Sequence, residues 1–295
     1  MVHYSQCPAC KSDAIKPDFF AVDNTVSKEQ FLIAKCIDCD MKFTQDAPIQ
    51  DKIGKYYQSE DYISHTDTKT GLVNSLYHVI RKFTLRIKQN FVDRQTGMKK
   101  GNILDIGCGT GAFLHQMKKA GWKVMGLEPD DNAASKAAEL YQIEAKNPDL
   151  LFQLEPNSFD AISMWHVLEH VHQLDEYIIQ LKKLLKEKGV IFIAVPNHTS
   201  NDAQYYKVNW AAYDVPRHLY HFSPKSMERL MHRHGLKIKQ ATPMWFDSFY
   251  VSMLSEKYKT GKNNLIAAVL RGFISNIVAF FNHSKCSSVI YTITH

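Results

Sequence analysis

A doubly wound α/β fold with a small metal-held ribbon at its front is what this sequence predicts, on three observations. The run NILDIGCGTGAF (residues 102–113) passes from an apolar strand through glycines into a helix. WKVMGLEPD then gives a second strand that ends on an acid, Glu128. Ahead of both, Cys7-Pro8-Ala9-Cys10 and Cys36-Ile37-Asp38-Cys39 form two C-x-x-C pairs. Strand, glycines, helix, strand is the opening unit of a parallel sheet that binds a ligand at its strand ends. Paired thiols at that spacing suit a metal ion better than disulfides.

The ribbon comes first. Two thiolates three residues apart grip one face of a metal, and a second pair closes a tetrahedron. Between the pairs, FFAV and QFLIAKC are apolar runs suited to short strands, around the polar stretch DNTVSKE. Residues 1–48 therefore read as a zinc-ribbon-like module with Cys7, Cys10, Cys36 and Cys39 as ligands. A redox pair or an iron site is the alternative. Four thiolates leave zinc no open position, so the expected metal is structural and replaces the core that about 40 residues are too few to build. A second reading uses the ribbon to dock a substrate or partner.

Residues 49–96 read as a linker and capping helix. Leu76, Ile80, Phe83, Ile87 and Phe91 recur at steps of three and four, giving one apolar stripe. Arg81, Lys82, Arg86 and Lys88 lie off that stripe and form either a solvated face or an anion- or membrane-facing one. Tyr56, Tyr57 and Tyr62 are candidates for a lid.

In the central segment the glycine spacing alone does not choose a cofactor, because Gly107, Gly109 and Ala112 also fit a loose dinucleotide pattern. Asp105, at the strand end just before the glycines, does. A carboxylate gains nothing from a pyrophosphate, whereas a cofactor with an ammonium and a sulfonium would benefit from it. Downstream, SFDAISMWHVLEHV (158–171) leads into the helix LDEYIIQLKKLLKEKG and the strand VIFIAVPN. With D-x-G-x-G-x-G, G-x-E-x-D and F-D-x-I…L-E-H-V together, residues 97–243 resemble the class I S-adenosylmethionine-dependent methyltransferases.

That resemblance implies a seven-stranded Rossmann-like sheet in the order 3-2-1-4-5-7-6 with strand 7 antiparallel, the closing SSVIYTIT supplying strand 7. It implies S-adenosyl-L-methionine as cofactor. It gives Asp105, Gly107, Gly109 and Gly111 the methionine end, Glu128 the ribose hydroxyls and Pro129 the adenine face. Trp165 and His166 fall where the family lines the methyl-donor pocket. The family often places an Asp after strand 3, and AKNPDLL departs from that, leaving Asp149 as the nearest acid. Cys108 reads as a small buried loop residue, Glu169 as a packing residue, and His166 and His170 each as a packing residue or a catalytic base.

The domain is taken as 97–295, with insertions near 198–222 and 245–285. The first insertion ends in DVPRHLYHFSP (214–224), before a helix capped by Ser223 with Pro224 at its first turn. Segments leaving the carboxyl ends of strands overhang the ligand crevice, so this segment is expected beside the acceptor. Where the acceptor must lose a proton, His218 and His221 are the candidate bases; Arg217 would take an acidic group and Asp214 would orient a histidine. The alternative pairs Arg217 with Asp214 and leaves the histidines to satisfy backbone groups. Tyr205, Tyr206 and Trp210 would wall a sugar ring or an apolar chain. In the second insertion, Ile266, Val269, Leu270, Phe273, Ile277 and Phe280 make an amphipathic helix over Leu265–Phe281, which packs on its own domain, forms a dimer contact or lies on a bilayer.

Composition bounds the rest. The 295 residues are 45 % hydrophobic and 22 % charged, which is ordinary for a globular chain. The opening MVHYSQCPAC lacks a secretory pattern, and no run of about 18 apolar residues is present. With thiols spaced for metal, a cytoplasmic setting is expected. A net charge of +6 without any like-charge block is mild. The leading expectation is methylation of a small-molecule, sugar or lipid-linked acceptor, as in surface-polysaccharide or secondary-metabolite synthesis, with room for peripheral membrane contact. An RNA acceptor held by the ribbon and a non-catalytic cofactor-binding scaffold are the alternatives.

Overall fold

A computed structural model describes residues 1–58 and 72–295, with side chains from residue 83 onward in the second span. Tyr62 and the side chains of Leu76, Ile80, Arg81 and Lys82 lie outside the described residues.

Seven strands form one sheet: β4 (Asn102–Ile106), β5 (Lys123–Leu127), β6 (Ala145–Lys146), β7 (Phe159–Trp165), β8 (Leu185–Pro196), β10 (Lys237–Pro243) and β11 (Ser288–Thr294). Their spatial order is β10-β11-β8-β7-β4-β5-β6, with one strand antiparallel. Counted along the chain within the sheet, that is the predicted 3-2-1-4-5-7-6, and SSVIYTIT is its last strand. The central strand β4 runs parallel to β5 (Leu104↔Met125) and to β7 (Leu104↔Ile162). Both its faces are covered, which is why it reads as a nearly unbroken apolar run.

The chain divides into two compact units. One comprises Thr66–Val167, Asp175–Ile193 and Thr292–His295; the other comprises Met1–His65, Leu168–Leu174 and Ala194–Tyr291.

In the first, α2 (Leu72–Thr96), α3 (Ala112–Lys119) and α4 (Asp131–Tyr141) accompany β4 to β7, and α5 (Leu174–Leu184) leads into β8. The start of β4 is fixed by Asp160, whose carboxylate accepts from the Asn102 amide at 2.8 Å and pairs with Lys186 at 2.8 Å. That anchor sets the register that delivers Asp105 to the strand's carboxyl end.

In the second unit the four-cysteine segment is a true ribbon. Strand β1 (Ile15–Val22) pairs antiparallel with β2 (Gln30–Cys36), and β2 with β3 (Lys42–Thr44). A fourth strand completes this sheet, and it comes from DVPRHLYHFSP: β9 (Tyr220–His221) pairs with β3 through Lys42↔His221 and Phe43↔Tyr220. Helices α1 (Gln50–Ile53), α6 (Asn201–Tyr206) and α7 (Pro224–Arg233) belong to the same unit, and α7 starts on the predicted Ser223 cap, here a full capping box.

Helices α8 (Asp247–Thr260) and α9 (Leu265–Phe281) pack against each other, and α9 turns its small-residue face inward. Its buried residues are Ala268, Gly272, Ser275 and Ala279. The large stripe is outside: Ile266 is 83 % exposed, Phe273 56 % and Phe280 70 %. Small residues win the interface because the helices approach closely; a Cβ on Gly272 would lie 2.8 Å from the Phe249 ring. Among the described residues no helix is long and apolar enough to cross a membrane.

Candidate active site

The loop after β4 turns on three glycines in left-handed backbone, Gly107, Gly109 and Gly111, with φ of 69°, 54° and 76°. At Gly107 a side chain is excluded twice, by φ and by the Val167 methyl that a Cβ would meet at 2.4 Å. Gly109 faces open space, with nothing within 4 Å of a built Cβ. The amides of Gly107 and Cys108 both donate to the Leu127 carbonyl, at 2.7 and 3.0 Å, which closes the loop against the end of β5.

Two acids stand at this loop. Asp105 is 2 % exposed and accepts a 2.6 Å bond from the Ser163 hydroxyl on the neighbouring β7. Burial pushes its carboxyl up to about 7, against the Ser163 bond and the Lys88 charge, and Glu128 adds to the rise. Glu128 is also raised by burial, although the Asp130 and Gly109 amides oppose it; the two amides bond its oxygens at 3.0 and 2.7 Å. Two raised carboxyls stand beside an open, backbone-lined loop, with the Lys88 charge acting on Asp105. A cofactor with an ammonium, a sulfonium and vicinal hydroxyls matches that donor and charge set. Cys108 is 8 % exposed, and burial followed by the charges of Asp105 and Glu128 drives its thiol well up, so it is no nucleophile.

Beyond β7, Trp165 packs edge-on to Phe113 at 5.4 Å and carries the Lys88 ammonium over its ring at 4.3 Å. Its indole Nε1 is buried without a hydrogen-bond partner among the described residues. A buried donor without an acceptor is costly, and a polar group of a bound ligand would relieve that cost. His166 follows with φ of 59°, a conformation a non-glycine residue rarely adopts. Pro129 is exposed next to Glu128, and Asp149 is exposed at the start of a 3-10 turn.

The second unit holds the remaining candidates, and there the alternative reading describes the geometry. Arg217 is 1 % exposed, and its guanidinium is wholly committed inside the fold. It grips Asp214 with two bonds at 2.6 and 3.0 Å, the Asp23 carboxylate at 3.0 Å and the Tyr56 carbonyl at 2.6 Å. Asp23 in turn caps the β1–β2 turn through the amides of Thr25, Val26 and Ser27. Arg217 thus ties this turn to the segment before β9, instead of offering a free cation. His221 lies 3.2 Å from the Thr44 hydroxyl, and burial, then the nearby His218, holds its imidazole well below the usual range. His218 donates from Nδ1 to the Ala212 carbonyl at 2.8 Å. The ring of His170 stands 4.6 Å from that of His218, and burial followed by His218 lowers it to about 4. Asp214 orients a histidine only distantly, at 4.0 Å from His218 Nε2. The four thiols converge, with Sγ–Sγ distances of 3.4 Å for Cys7–Cys39 and 3.6 Å for Cys10–Cys36.

Two contributors went unassigned in the sequence. Ser163 is a small polar residue within the apolar stretch AISM of β7, the signal in the sequence for Asp105's partner. Lys88 was read only as part of a basic helix face.

Residues 76–241, more than half of the chain, match a family described as a methyltransferase domain. The chain belongs to this family. It is a class I S-adenosylmethionine-dependent methyltransferase. Among its relatives is the ubiquinone biosynthesis O-methyltransferase of Pelagibacter ubique, 33 % identical over 113 residues, or 35 % of this chain and 45 % of that protein. The Chromobacterium violaceum protein of the same name is 25 % identical over 177 residues, 55 % of this chain and 75 % of that one. The chain therefore spans less than half of the first relative and three quarters of the second. A solved geranyl diphosphate C-methyltransferase from Streptomyces coelicolor A3(2) shares the fold at TM-score 0.52 and 13 % identity, covering 78 % of this chain and 87 % of that one.

Proposed function

We propose that this methyltransferase methylates a hydroxyl group on a small, apolar or lipid-associated acceptor, with His166 as the base. The observation that carries the assignment is the placement of His166. It directly follows β7, with φ of 59°, in the unit that holds the cofactor loop. A hydroxyl attacks well only as it loses its proton, and imidazole is suited to take that proton near neutral pH. The names of the relatives, O-methyltransferases of ubiquinone biosynthesis, support oxygen as the acceptor atom and an apolar acceptor.

Each residue then has a task. Asp105 and Glu128 supply the negative charge and the hydroxyl acceptors that seat S-adenosyl-L-methionine, Gly109 opens the backbone to it, and Pro129 covers the adenine. Trp165 lies at the end of β7, next to His166. When bound, the cofactor supplies a methyl group on a sulfonium centre that departs as a neutral thioether. His166 receives the proton that the acceptor oxygen gives up. Much of the acceleration comes from alignment. Arg217 and His221 are assigned to holding the β9 segment.

The four cysteines fit one structural zinc. Zinc–thiolate bonds of about 2.3 Å put tetrahedral sulfurs a little under 4 Å apart, close to the spacing present here.

The test follows methyl-tritiated S-adenosyl-L-methionine into a cell extract split into lipid, small-molecule, polysaccharide and RNA fractions. Label should enter the organic-extractable or small-molecule fraction and survive ribonuclease. His166→Ala should lower the rate by about 10²- to 10⁴-fold while cofactor binding, read by calorimetry, stays intact. Label found only in ribonuclease-sensitive material would replace this reading with an RNA acceptor. Label in polysaccharide would replace the apolar acceptor with a sugar.

A further inference from the structure

We infer that Glu169, His170 and His218 form a second metal site, distinct from the four cysteines, for a divalent first-row transition cation. The ligating atoms of these three residues all lie within 4.8 Å of one another. They come from two separate stretches of chain, the turn Leu168–His170 and the segment before β9.

The hydrogen bonds around the two imidazoles fix how they face each other. A carbonyl oxygen can only accept, so each ring nitrogen bonded to one must carry the proton. His170 Nδ1 meets the Arg217 carbonyl at 3.1 Å, with the Tyr57 hydroxyl beside it at 3.0 Å. His218 Nδ1 meets the Ala212 carbonyl at 2.8 Å. Both rings are therefore held as the tautomer whose lone pair is on Nε2. This is the arrangement in which backbone carbonyls orient metal-binding histidines. The rings cross nearly at right angles, 80° apart with centroids at 4.6 Å. Glu169 adds a carboxylate that is 0 % exposed, and His218 is 9 % exposed.

The ligand set limits the metal. Two imidazoles and one carboxylate suit Mn²⁺ through Zn²⁺; Ca²⁺ and Mg²⁺ prefer all-oxygen sites, and Cu⁺ prefers sulfur. Three protein ligands leave positions open for water or another oxygen, unlike the closed four-thiolate site. Asp214, 4.0 Å from His218 Nε2 and bound to Arg217, adds negative charge just outside the ligands. The inference does not depend on the identity of the methyl acceptor.

Mn²⁺ is the probe, because thiolates compete poorly for it. Titrated into the full chain with its zinc in place, Mn²⁺ should lose the six-line resonance of the free ion up to one equivalent. It should also broaden the ring signals of two histidines in the wild-type NMR spectrum. Glu169→Gln and His218→Gln should each weaken binding at least about 10-fold, with folding checked by circular dichroism. The wild-type broadening stands as the readout if either variant misfolds. An unchanged Mn²⁺ resonance in the wild-type protein overturns the site. So do variants that bind as tightly as the wild type, or broadening that spares His170 and His218.

Discussion

Removing the charge from Asp105 should stabilise the protein that lacks cofactor and abolish its function. Asp105 is 2 % exposed, and burial lifts its carboxyl from 3.8 to about 7. At about 1.4 kcal/mol per tenfold change in affinity for the proton, carrying that carboxylate ionised costs the fold about 4 kcal/mol. The sign follows from the direction of the shift. Between pH 3.8 and about 7 the folded protein holds a proton that the unfolded chain has released, so stability falls as pH rises through that window and stays low above it. Asp105→Asn cannot ionise, and its carbonyl can still accept the Ser163 bond. Without cofactor, the variant should be more stable than the wild type at pH 8 by up to about 4 kcal/mol, or on the order of 10 °C in melting temperature, with the gap closing toward pH 4. S-adenosyl-L-methionine should raise the melting point of the wild type and not of the variant. Wild-type cofactor affinity should fall about 10-fold between pH 8 and pH 6, as the carboxylate takes up its proton. Urea unfolding followed by tryptophan fluorescence at the two pH values, with and without cofactor, makes the measurement. A variant no more stable than the wild type at pH 8, or a gap that ignores pH, would refute the reasoning.

Arg217→Ala leaves Asp23 buried without its counter-charge and should cost about 3–5 kcal/mol in unfolding experiments. Burial raises the Asp23 carboxyl, but the Ser27 amide and Arg217 outweigh it and hold it at about 2, so this contribution is present above pH 3.8 and lost as pH falls toward 2. Gly272→Ala forces α8 and α9 apart and should lower stability by about 1–3 kcal/mol, whereas Ile266→Ala on the exposed stripe should stay within about 0.5 kcal/mol; thermal melts of the pair compare the two faces directly. Cobalt substitution should give a thiolate-to-metal absorption band that Cys36→Ser removes, and chelation should lower the melting temperature; a metal-free protein with unchanged melting would remove the structural zinc.

The sheet and its cofactor loop are legible in the chain's own residues. β4 is an apolar run ended by an acid and glycines, and each of those features is demanded locally: by two-sided burial, by a positively charged ligand and by left-handed backbone. Such requirements are written in adjacent residues and can be read without tertiary structure. The paired cysteines are legible for the same reason, because two C-x-x-C turns each bring their thiols together locally.

The roles of the polar groups emerge from contacts between distant parts of the chain. Arg217 looks like a substrate cation in DVPRHLYHFSP, yet its partner Asp23 lies 194 residues away along the chain. Ser163 meets Asp105 across strands and 58 residues of sequence. Charge pairing acts through space, so a local motif cannot say whether a charge faces ligand or fold. The same holds for α9. Its periodicity shows two unlike faces, but which one packs depends on how closely α8 approaches, and that distance is set by Gly272 against Phe249.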